Sequence, residues 1–526
     1  MANRASRVLL LGSREGFLAR QVAGCLDAMG VEWALFRTDT HELLGGPDVS
    51  DLSFPAWGDD VDPEVYNREY RAAFAEMNGR WKPELLIAIG VDGALIGATK
   101  SELPLVVLYG PPDISFSRKR ERLLRRFQLI AERTRAFVCL DSLVAHDLID
   151  KGSRVPHFLW KPPSFEDRSQ SEPPALERVV VFSETRHRRP ALASEQVATM
   201  EASAGRSWSL FGCDHGRSNR PRKSTHLEDV ELESMTAGLE GTICVLLGES
   251  NEHGATAAAA IMAGSPVFME DKLHNHLLAA RLPGVVVFDK SRLVAELPAA
   301  VADWKQSGAS AKRGSFRPDC CPWLDLEYLE SVPWFYDELD EDRIGDLVVY
   351  ASVSGFPRVR DRARAVRTQA ILHELRARYT TVMLQPHSPY VERRRLQLES
   401  LAPERRPKLV YIESGTSPVK SGFREGFFGL LGDLRSAGAR IGWFARDAHY
   451  LSADFGMDEE YRQGLLDAAR PEAESVERVA HRLYAPTTRL FEHFVDSGLY
   501  GQDSRDRFMP LPPGTDPRLR RSAAVI

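Results

Sequence analysis

The sequence predicts an α/β protein made of tandem Rossmann-like domains. Short apolar runs of strand length alternate with helix-forming stretches, and this alternation restarts twice along the chain. Continuous apolar strands separated by helices are typical of parallel sheets that are covered on both faces. A chain of 526 residues is also too long for one hydrophobic core, which favours about three domains.

The first domain is expected to span residues 1–165. Its first apolar run stops at Gly12, and an amphipathic stretch ending in a glycine follows, which is typical of a strand and then a helix. The remaining predicted strands are VEWALFRTD, PELLIAIGV, PLVVLYG and AFVCLDS, and further helices are predicted at 65–79 and 117–132.

A stretch rich in Pro, Ser and Glu, residues 161–177, predicts a linker to a second domain over 175–335. The strands predicted there are RVVVFSE, SWSLFGCD, TICVLLGES, SPVFME and GVVVFD, with helices near 191–203, 227–238, 254–263 and 291–305. A third domain is expected over 345–526. Its predicted strands are DLVVYASVS, TTVMLQPH, KLVYIES, ARIGWFARD and HRLYAP, with helices at 359–378, 422–437 and 458–469.

Composition excludes several classes of protein. Hydrophobic residues make up 43% and charged residues 27%, as in ordinary globular proteins, and the net charge of −6 gives no general attraction to nucleic acid or anionic membranes. Two basic clusters, Arg118–Arg126 and Arg217–Lys223, are interpreted as a helix face and a solvated loop, with phosphate binding as the alternative.

The six cysteines form no C-x-x-C pair or regular framework, so neither structural zinc nor a disulfide scaffold is expected. We expect no metal. No apolar run approaches the roughly 20 residues of a membrane span, and the N-terminus lacks the apolar region of a signal peptide. We therefore expect a cytoplasmic protein.

The most informative segment is 243–268, ICVLLGESNEHGATAAAAIMAGSPVF. It predicts a buried strand, a polar loop with Gly254, an Ala-rich helix and a G-S-P turn into the next strand. The N-terminus of a helix presents unpaired N–H groups and a partial positive charge, which suit a nucleotide diphosphate. Strand-loop-helix units are also common without any ligand, so a structural role is the alternative.

This segment resembles the donor-binding signature of retaining GT-B glycosyltransferases, approximately E-P-F-G-L-x-x-x-E-A-M-A-C-G-T-P-V-V. Gly254 matches the signature glycine, and Gly264–Val267 matches the final G-T-P-V. The resemblance implies a GT-B arrangement of the first two domains and a nucleotide-sugar donor. The donor-binding residues that it implies here are Ser250, Asn251, Glu252, His253, Gly254, Ala255 and Thr256.

The chain departs from that signature at both of its glutamates. The first position is Asn251, although Glu252 is adjacent and is a candidate catalytic carboxylate. The second glutamate, which holds the donor ribose in the family, is replaced by Ala259. Upstream, the loop ETRHRRP places Arg186, Arg188 and Arg189 where the family has basic residues facing the donor phosphates. Guanidinium groups are permanently charged and donate two hydrogen bonds at once, so they would neutralise a diphosphate without a metal.

In the first domain, the loop GSREG makes Gly12, Ser13 and Gly16 candidates for contact with the donor phosphates, by resemblance to the glycine loop of GT-B enzymes. It lacks the full G-x-G-x-x-G of a dinucleotide site. Asp92 and Asp113 follow predicted strand ends, where ligands bind in open α/β sheets. Either would serve as a general base on an acceptor hydroxyl, with a helix or turn cap as the alternative role.

The third domain resembles another GT-B N-terminal half, in particular the glycosyltransferase-like proteins related to spore-maturation CgeB. The matching stretches are YIESGTSP, REGFFGLLGDLRSAG, WFARDAH and LPPGTDPR. Candidate residues at its strand ends are Glu413, Ser414, Thr416, Arg446, Asp447 and His449, with Asp447 as a candidate catalytic base. A structural ion-pair cluster is the alternative interpretation.

Together these observations predict a glycosyltransferase that uses a nucleotide-sugar donor and neither a metal nor another cofactor. The acceptor stays unidentified. The alternative is a catalytically inert homologue that binds a nucleotide-sugar, a glycan or a protein partner. Because no donor domain follows the third domain in this sequence, a homo-oligomer or a separate donor domain is a further expectation.

Overall fold

The computed structural model gives the chain as two compact units, which are Met1–Asp147 with Arg154–Tyr336 and Leu148–Ser153 with Asp337–Ile526. The residues that it describes are 5–12, 17–38, 43–45, 52, 54, 63–110, 120–167, 176, 178–184, 207–213, 239–248, 253–279, 281–289, 293–306, 312–315, 321–337, 346–354, 363–415, 417–446, 449–451 and 456–511.

The first unit opens with a seven-stranded sheet in the order β3-β2-β1-β4-β5-β6-β7. All its pairings are parallel except that of β2 with β3. Its strands are β1 Arg7–Gly12, β2 Glu32–Arg37, β3 Leu43–Gly45, β4 Leu85–Ile89, β5 Leu105–Tyr109, β6 Thr134–Cys139 and β7 His157–Leu159. Its helices are α1 Phe17–Ala28, α2 Pro63–Trp81, α3 Gly90–Lys100, α4 Arg120–Arg133 and α5 Ser142–Asp150, the last of which runs on into the second unit.

The sequence did not indicate helix α3, nor the short strands β3 and β7 at the two edges of this sheet. The α3 segment, GVDGALIGATK, has little amphipathic pattern and three glycines, which are poor helix formers. These glycines let the helix lie very close to the sheet. A Cβ at Gly93 would stand 2.5 Å from the carbonyl oxygen of Leu11, and a Cβ at Gly97 would stand 2.9 Å from Leu105.

A second, five-stranded parallel sheet has the order β10-β9-β11-β12-β13. Its strands are β9 Arg178–Glu184, β10 Ser207–Cys213, β11 Thr242–Leu247, β12 Val267–Glu270 and β13 Val285–Phe288, and its helices are α6 His253–Met262, α7 Leu273–Ala279 and α8 Leu293–Gln306. The helices predicted near 191–203 and 227–238 lie outside the described residues. A short helix, α9, follows at Leu326–Ser331.

The segment predicted to be a linker contains a strand. This strand, β8 Ser164–Asp167, pairs antiparallel with β14, Lys312–Ser315, nearly 150 residues further along the chain by their numbers. No local pattern indicates such a pairing, because the partner strand is short and distant in sequence.

One continuous hydrophobic core joins the two sheets of the first unit. It includes Leu18 and Val22 on α1, Trp160 after β7, and the alanines of α6. These alanines are fully buried, since their small side chains allow the helix to lie close to its neighbours. A second cluster covers the opposite face of the second sheet and includes Trp304 on α8.

The second unit contains a six-stranded parallel sheet in the order β16-β15-β17-β18-β19-β20. Its strands are β15 Leu347–Ser352, β16 Thr380–Leu384, β17 Leu409–Glu413, β18 Arg440–Phe444, β19 Arg482–Ala485 and β20 Phe508–Pro510. Its helices are α10 Ala363–Arg378, α11 Ser388–Glu399, α12 Ser421–Ser436, α13 Glu459–Val479 and α14 Thr488–Asp496. The predicted α/β, Rossmann-like architecture of the chain is therefore confirmed.

Helix α11 has no hydrophobic stripe because it buries two arginines. Arg393 and Arg394 both bind the carboxylate of Asp337, with 2.9 Å between Arg393 Nε and Asp337 Oδ1. Arg394 Nε also donates to the carbonyl of Met383, and Arg393 Nη1 donates to the carbonyl of Ser153. A buried charge is tolerated when it is paired and hydrogen-bonded, and here Asp337 pairs with both guanidinium groups while backbone carbonyls accept further bonds from them.

Gly93→Ala should lower the free energy of unfolding by about 1–3 kcal/mol, because the added methyl group meets a backbone carbonyl that cannot swing aside. The matched control is Gly79→Ala on α2, where no heavy atom lies within 4 Å of the added Cβ. This control should raise stability by about 0.5–1 kcal/mol. Urea denaturation measures both, and equal midpoints for the two variants would contradict the close approach of α3 to β1.

Candidate functional site

Two candidate residues of the first sheet end or follow the strands from which the chain continues in opposite directions across the sheet. The chain leaves β1 toward β2 and leaves β4 toward β5, so a topological switch point lies between β1 and β4. Gly12 is the last residue of β1, and Asp92 is exposed in the first turn of α3, directly after β4. The residue beside Asp92, Gly93, packs on the carbonyl of Leu11. Ligands of open α/β sheets bind at such switch points.

The second sheet has its own switch point between β9 and β11. The predicted donor residues follow these two strands, because 185–189 comes after β9 and 248–256 comes after β11. Several candidates there and elsewhere lie outside the described residues, namely Ser13, Gly16, Asp113, Arg186, Arg188, Arg189, Ser250, Asn251, Glu252, Thr416 and Asp447.

The first turn of α6, from His253 to Thr256, is buried. A Cβ at Gly254 would lie 3.2 Å from the ring of Trp160 and 3.3 Å from Leu278, so this glycine is required for packing. The carbonyl of Ala255 accepts a hydrogen bond of 2.8 Å from Nε2 of Gln21 on α1. Helix α1, which follows β1, and helix α6, which follows β11, are thus in direct contact.

His253 is uncharged at neutral pH. Burial lowers its pKa to about 4, although Asn275 and Glu270 act in the opposite direction. Asn275 Nδ2 donates to the carbonyls of Gly248 and Glu270, so Asn275 Oδ1 is the acceptor that faces His253 Nδ1 at 3.1 Å. Nδ1 therefore carries the proton, and Nε2 is an acceptor. This imidazole therefore offers one acceptor atom, Nε2, and no positive charge for a phosphate.

The sequence did not single out Glu270, which the structure places beside the candidate donor loop. It is the last residue of β12, its side chain is 12% exposed, and Oε2 accepts a 2.7 Å hydrogen bond from the N–H of Gly248. Oε1 lies 3.3 Å from Nζ of Lys272. Gly248 has a φ of +83°, a conformation that favours glycine. The carboxylate therefore fixes the turn from which the loop departs.

Asp141 and His274 form a buried pair between the two sheets of the first unit. Their Oδ2 and Nδ1 atoms are 2.6 Å apart, and the Asp141 side chain is 2% exposed. Oδ1 of Asp141 also accepts from the N–H groups of Leu143 and Val144 at the start of α5. Burial alone raises the pKa of Asp141, but His274 and these backbone donors outweigh it and hold the pKa below its ordinary value.

Arg281 makes a second connection across the same junction. It donates to the carbonyls of Leu140 and Trp160, which follow β6 and β7 of the first sheet. Because Trp160 packs on Gly254, this connection also holds the ring against the start of α6.

The third sheet brings three of its predicted residues together. Glu413 ends β17, and the Oγ of Ser414 accepts a 3.0 Å hydrogen bond from the backbone N–H of Arg446. His449 begins a short 3-10 helix and is partly buried. The ion-pair partner of Glu413 is Arg367 on α10, which the sequence did not indicate.

In the described part of the chain, no group of three or more His, Cys, Asp and Glu side chains is arranged to hold a metal ion. The same residues include no helix with the length and apolar character needed to cross a bilayer.

No protein-family model and no curated protein matches this chain. Among solved structures, it is similar to sucrose-phosphate synthase from Thermosynechococcus elongatus, with 12% identity over 62% of this chain and 96% of that chain and a TM-score of 0.38. It is also similar to the glycosyltransferase of kitacinnamycin, with 14% identity, coverage of 62% and 96%, and a TM-score of 0.28. The calicheamicin glycosyltransferase CalG4 gives 14% identity, coverage of 64% and 96%, and a TM-score of 0.24.

These three proteins are GT-B glycosyltransferases, the class that the sequence resembles. At TM-scores below 0.5 they identify neither the donor nor the acceptor nor the activity of this chain.

His274→Ala should lower the free energy of unfolding by about 3 kcal/mol, because it leaves the Asp141 carboxylate buried without its partner. The matched control is His276→Ala, which removes the more exposed pair of His276 with Asp271, whose side chains are 19% and 25% exposed. This control should cost no more than about 1 kcal/mol. Chemical denaturation at pH 7 measures both variants. Equal losses would show that the Asp141–His274 pair does not hold the junction.

Proposed function

We propose that the first unit binds a nucleotide-sugar and transfers its sugar to an acceptor. The observation that supports this most directly is the buried hydrogen bond from Gln21 to the carbonyl of Ala255. It joins α1, which follows the first sheet's switch point, to α6, which follows that of the second sheet. A ligand bound at both switch points would therefore contact both sheets, as a donor and an acceptor must when they react.

The diphosphate would contact the residues that lead into α6. Trp160, Leu278 and Gln21 contact the side of the first turn, so a ligand would meet this turn at the N–H groups of its start. Since His253 is neutral, positive charge must come from elsewhere. We assign this role to Arg186, Arg188 and Arg189, which follow the neighbouring switch-point strand β9. With three guanidinium groups on the leaving diphosphate, the reaction would need no metal.

Asp92 is our candidate for the general base. Its carboxylate is exposed at the first sheet's switch point, where an acceptor hydroxyl could reach it. General-base catalysis needs a group of this kind within hydrogen-bonding reach of the attacking hydroxyl. Asp113 and Glu252 are further candidates for this role, since they follow β5 and β11 of the same unit in the sequence.

One observation favours the alternative of a homologue that binds a ligand without turnover. Ala259, at the position of the family's ribose-binding glutamate, is fully buried inside the core shared by the two sheets. A carboxylate at this place would have no access to a ligand. An inert homologue would bind the nucleotide but show no transfer to any acceptor and no hydrolysis of the donor.

Calorimetric titration with UDP, GDP, TDP, CDP and ADP should reveal binding of one of these nucleotides. At 100 times its Kd, that nucleotide should also raise the free energy of unfolding by about 2.7 kcal/mol. Arg188→Ala and Arg189→Ala should each weaken this binding by about 1–3 kcal/mol, because a charged hydrogen bond is lost. The exposed Arg405→Ala in the second unit is the control and should have no effect. Unchanged affinity in both loop variants would remove the proposed phosphate contacts.

Asp92→Asn should slow sugar transfer by at least about 100-fold while leaving nucleotide binding unchanged, because it removes the proton acceptor alone. Transfer is followed by release of the nucleoside diphosphate from the donor that the titration identifies. Asp303→Asn, an exposed substitution on α8, should keep the full rate. A normal rate for the Asp92 variant would assign the base to another residue, and binding without turnover by the unaltered protein would support the inert homologue.

A further inference from the structure

The third sheet, which belongs to the second unit, has a switch point of its own. Strand β15 lies between β16 and β17, so the chain leaves β15 toward β16 and leaves β17 toward β18. Helix α10 follows β15 and packs against β15 and β16, whereas α12 follows β17 and packs against β18. Such divergence leaves a crevice at the carboxyl ends of the two central strands.

A charged cluster lies at this crevice. Arg367 Nε donates to Oε1 of Glu413 at 3.0 Å, and Arg367 Nη2 donates to the hydroxyl of Tyr411 at 3.2 Å. The same hydroxyl donates to Oε1 of Glu413 at 2.8 Å. The guanidinium also lies 4.1 Å above the ring of Phe444, the last residue of β18. Four contacts therefore hold the two charged groups in fixed positions.

Part of the hydrogen-bonding capacity of this cluster is not used by its own members. Within the described residues, Oε2 of Glu413 accepts no hydrogen bond and Nη1 of Arg367 donates none. The Glu413 side chain is 5% exposed and the Arg367 side chain is 11% exposed. Oε2 and Nη1 are not among the fully buried atoms that lack a partner. The pair thus offers one acceptor atom and one donor group at the carboxyl edge of the sheet.

The Glu413 carboxylate is short of hydrogen-bond donors. Burial raises its pKa above the ordinary value, even though Arg367, Tyr411 and Arg446 act in the opposite direction. A ligand that donates hydrogen bonds to Oε2 would offset this cost of burial.

The charges of the cluster favour a neutral ligand. Arg367 is already paired with Glu413, so an incoming phosphate or carboxylate would meet the negative charge of Glu413 at close range. Hydroxyl groups both donate and accept, and they suit an acceptor and a donor held side by side. Serines 352 and 414, which end or follow the two central strands, add hydroxyl groups at the same edge.

We propose that the carboxyl edge of the third sheet binds a saccharide, with adjacent sugar hydroxyls donating to Oε2 of Glu413 and accepting from Nη1 of Arg367. This site would be separate from the nucleotide-sugar site of the first unit. It does not depend on whether that unit transfers a sugar.

The test uses the full-length chain and saturation-transfer NMR with the methyl glycosides of glucose, galactose, mannose, N-acetylglucosamine and rhamnose. At least one should bind in the millimolar range, and Glu413→Gln should weaken its binding at least tenfold. Glutamine keeps an oxygen for the contacts with Arg367 and Tyr411 but loses the charge that strengthens a hydroxyl hydrogen bond. Glu404→Gln, an exposed substitution in the same unit, is the control and should bind normally.

A measurement on the unaltered protein keeps the proposal testable if the Glu413 variant does not fold. Hydrogen exchange with the bound glycoside should show protection in peptides that cover 409–415 and 440–446, and none in peptides that cover α6. Absence of binding by every glycoside, or protection confined to the first unit, would overturn the proposal. Displacement of the glycoside by millimolar inorganic phosphate would overturn it as well, because it would identify an anion site.

Discussion

The buried pair of Asp141 and His274 is the contact on which the geometry of the first unit depends. One carboxylate oxygen faces the imidazole at 2.6 Å, and the other caps the start of α5. One Asp141 oxygen therefore binds His274 on α7 of the second sheet, and the other binds the start of α5, which follows the first sheet. Neither helix can shift without leaving a buried charge unpaired. Arg281 strengthens the same junction through the carbonyl of Trp160. The indole that covers the start of α6 is thereby held in place.

Close packing at this junction limits how a ligand can be bound. Gly254 allows Trp160 and Leu278 to approach the helix, and the buried alanines behind it bring α6 onto the shared core. The first turn is therefore supported from the side, which suits a rigid site. A ligand of this turn would then approach along the helix axis, the direction in which the first N–H groups of a helix point. The neutral His253 and the Glu270 carboxylate, which binds the N–H of Gly248, shape this approach without adding positive charge.

Local sequence patterns were sufficient for the regular parts of the fold. Apolar runs located the parallel strands other than the short edge strands β7 and β20, and amphipathic stretches located α2, α4, α8, α10 and α12 to within a few residues. The patterns failed for helices that bury glycines or charged side chains, because such helices show no apolar stripe on one face. Helix α3 is rich in glycine because it lies against β1, and α11 buries two arginines around Asp337. The helix predicted at 458–469 is too short, because Ala473, Val476 and Val479 are buried beyond Pro471 and α13 continues to Val479.

The order of the residues determined which side chains follow the ends of the strands, because a parallel α/β chain returns each strand in the same direction and leaves its loops at one edge. Asp92 was predicted in this way, whereas Gly12 and 253–256 were predicted from the resemblance to GT-B enzymes. Only the tertiary structure decided which of these ends meet and what covers them. The Gln21–Ala255 contact spans 234 residues, Asp141–His274 spans 133 and Arg367–Glu413 spans 46. No local pattern predicts such pairs, because their geometry arises from the packing of whole helices and strands. The sequence of one element does not specify which residue of another element it will contact.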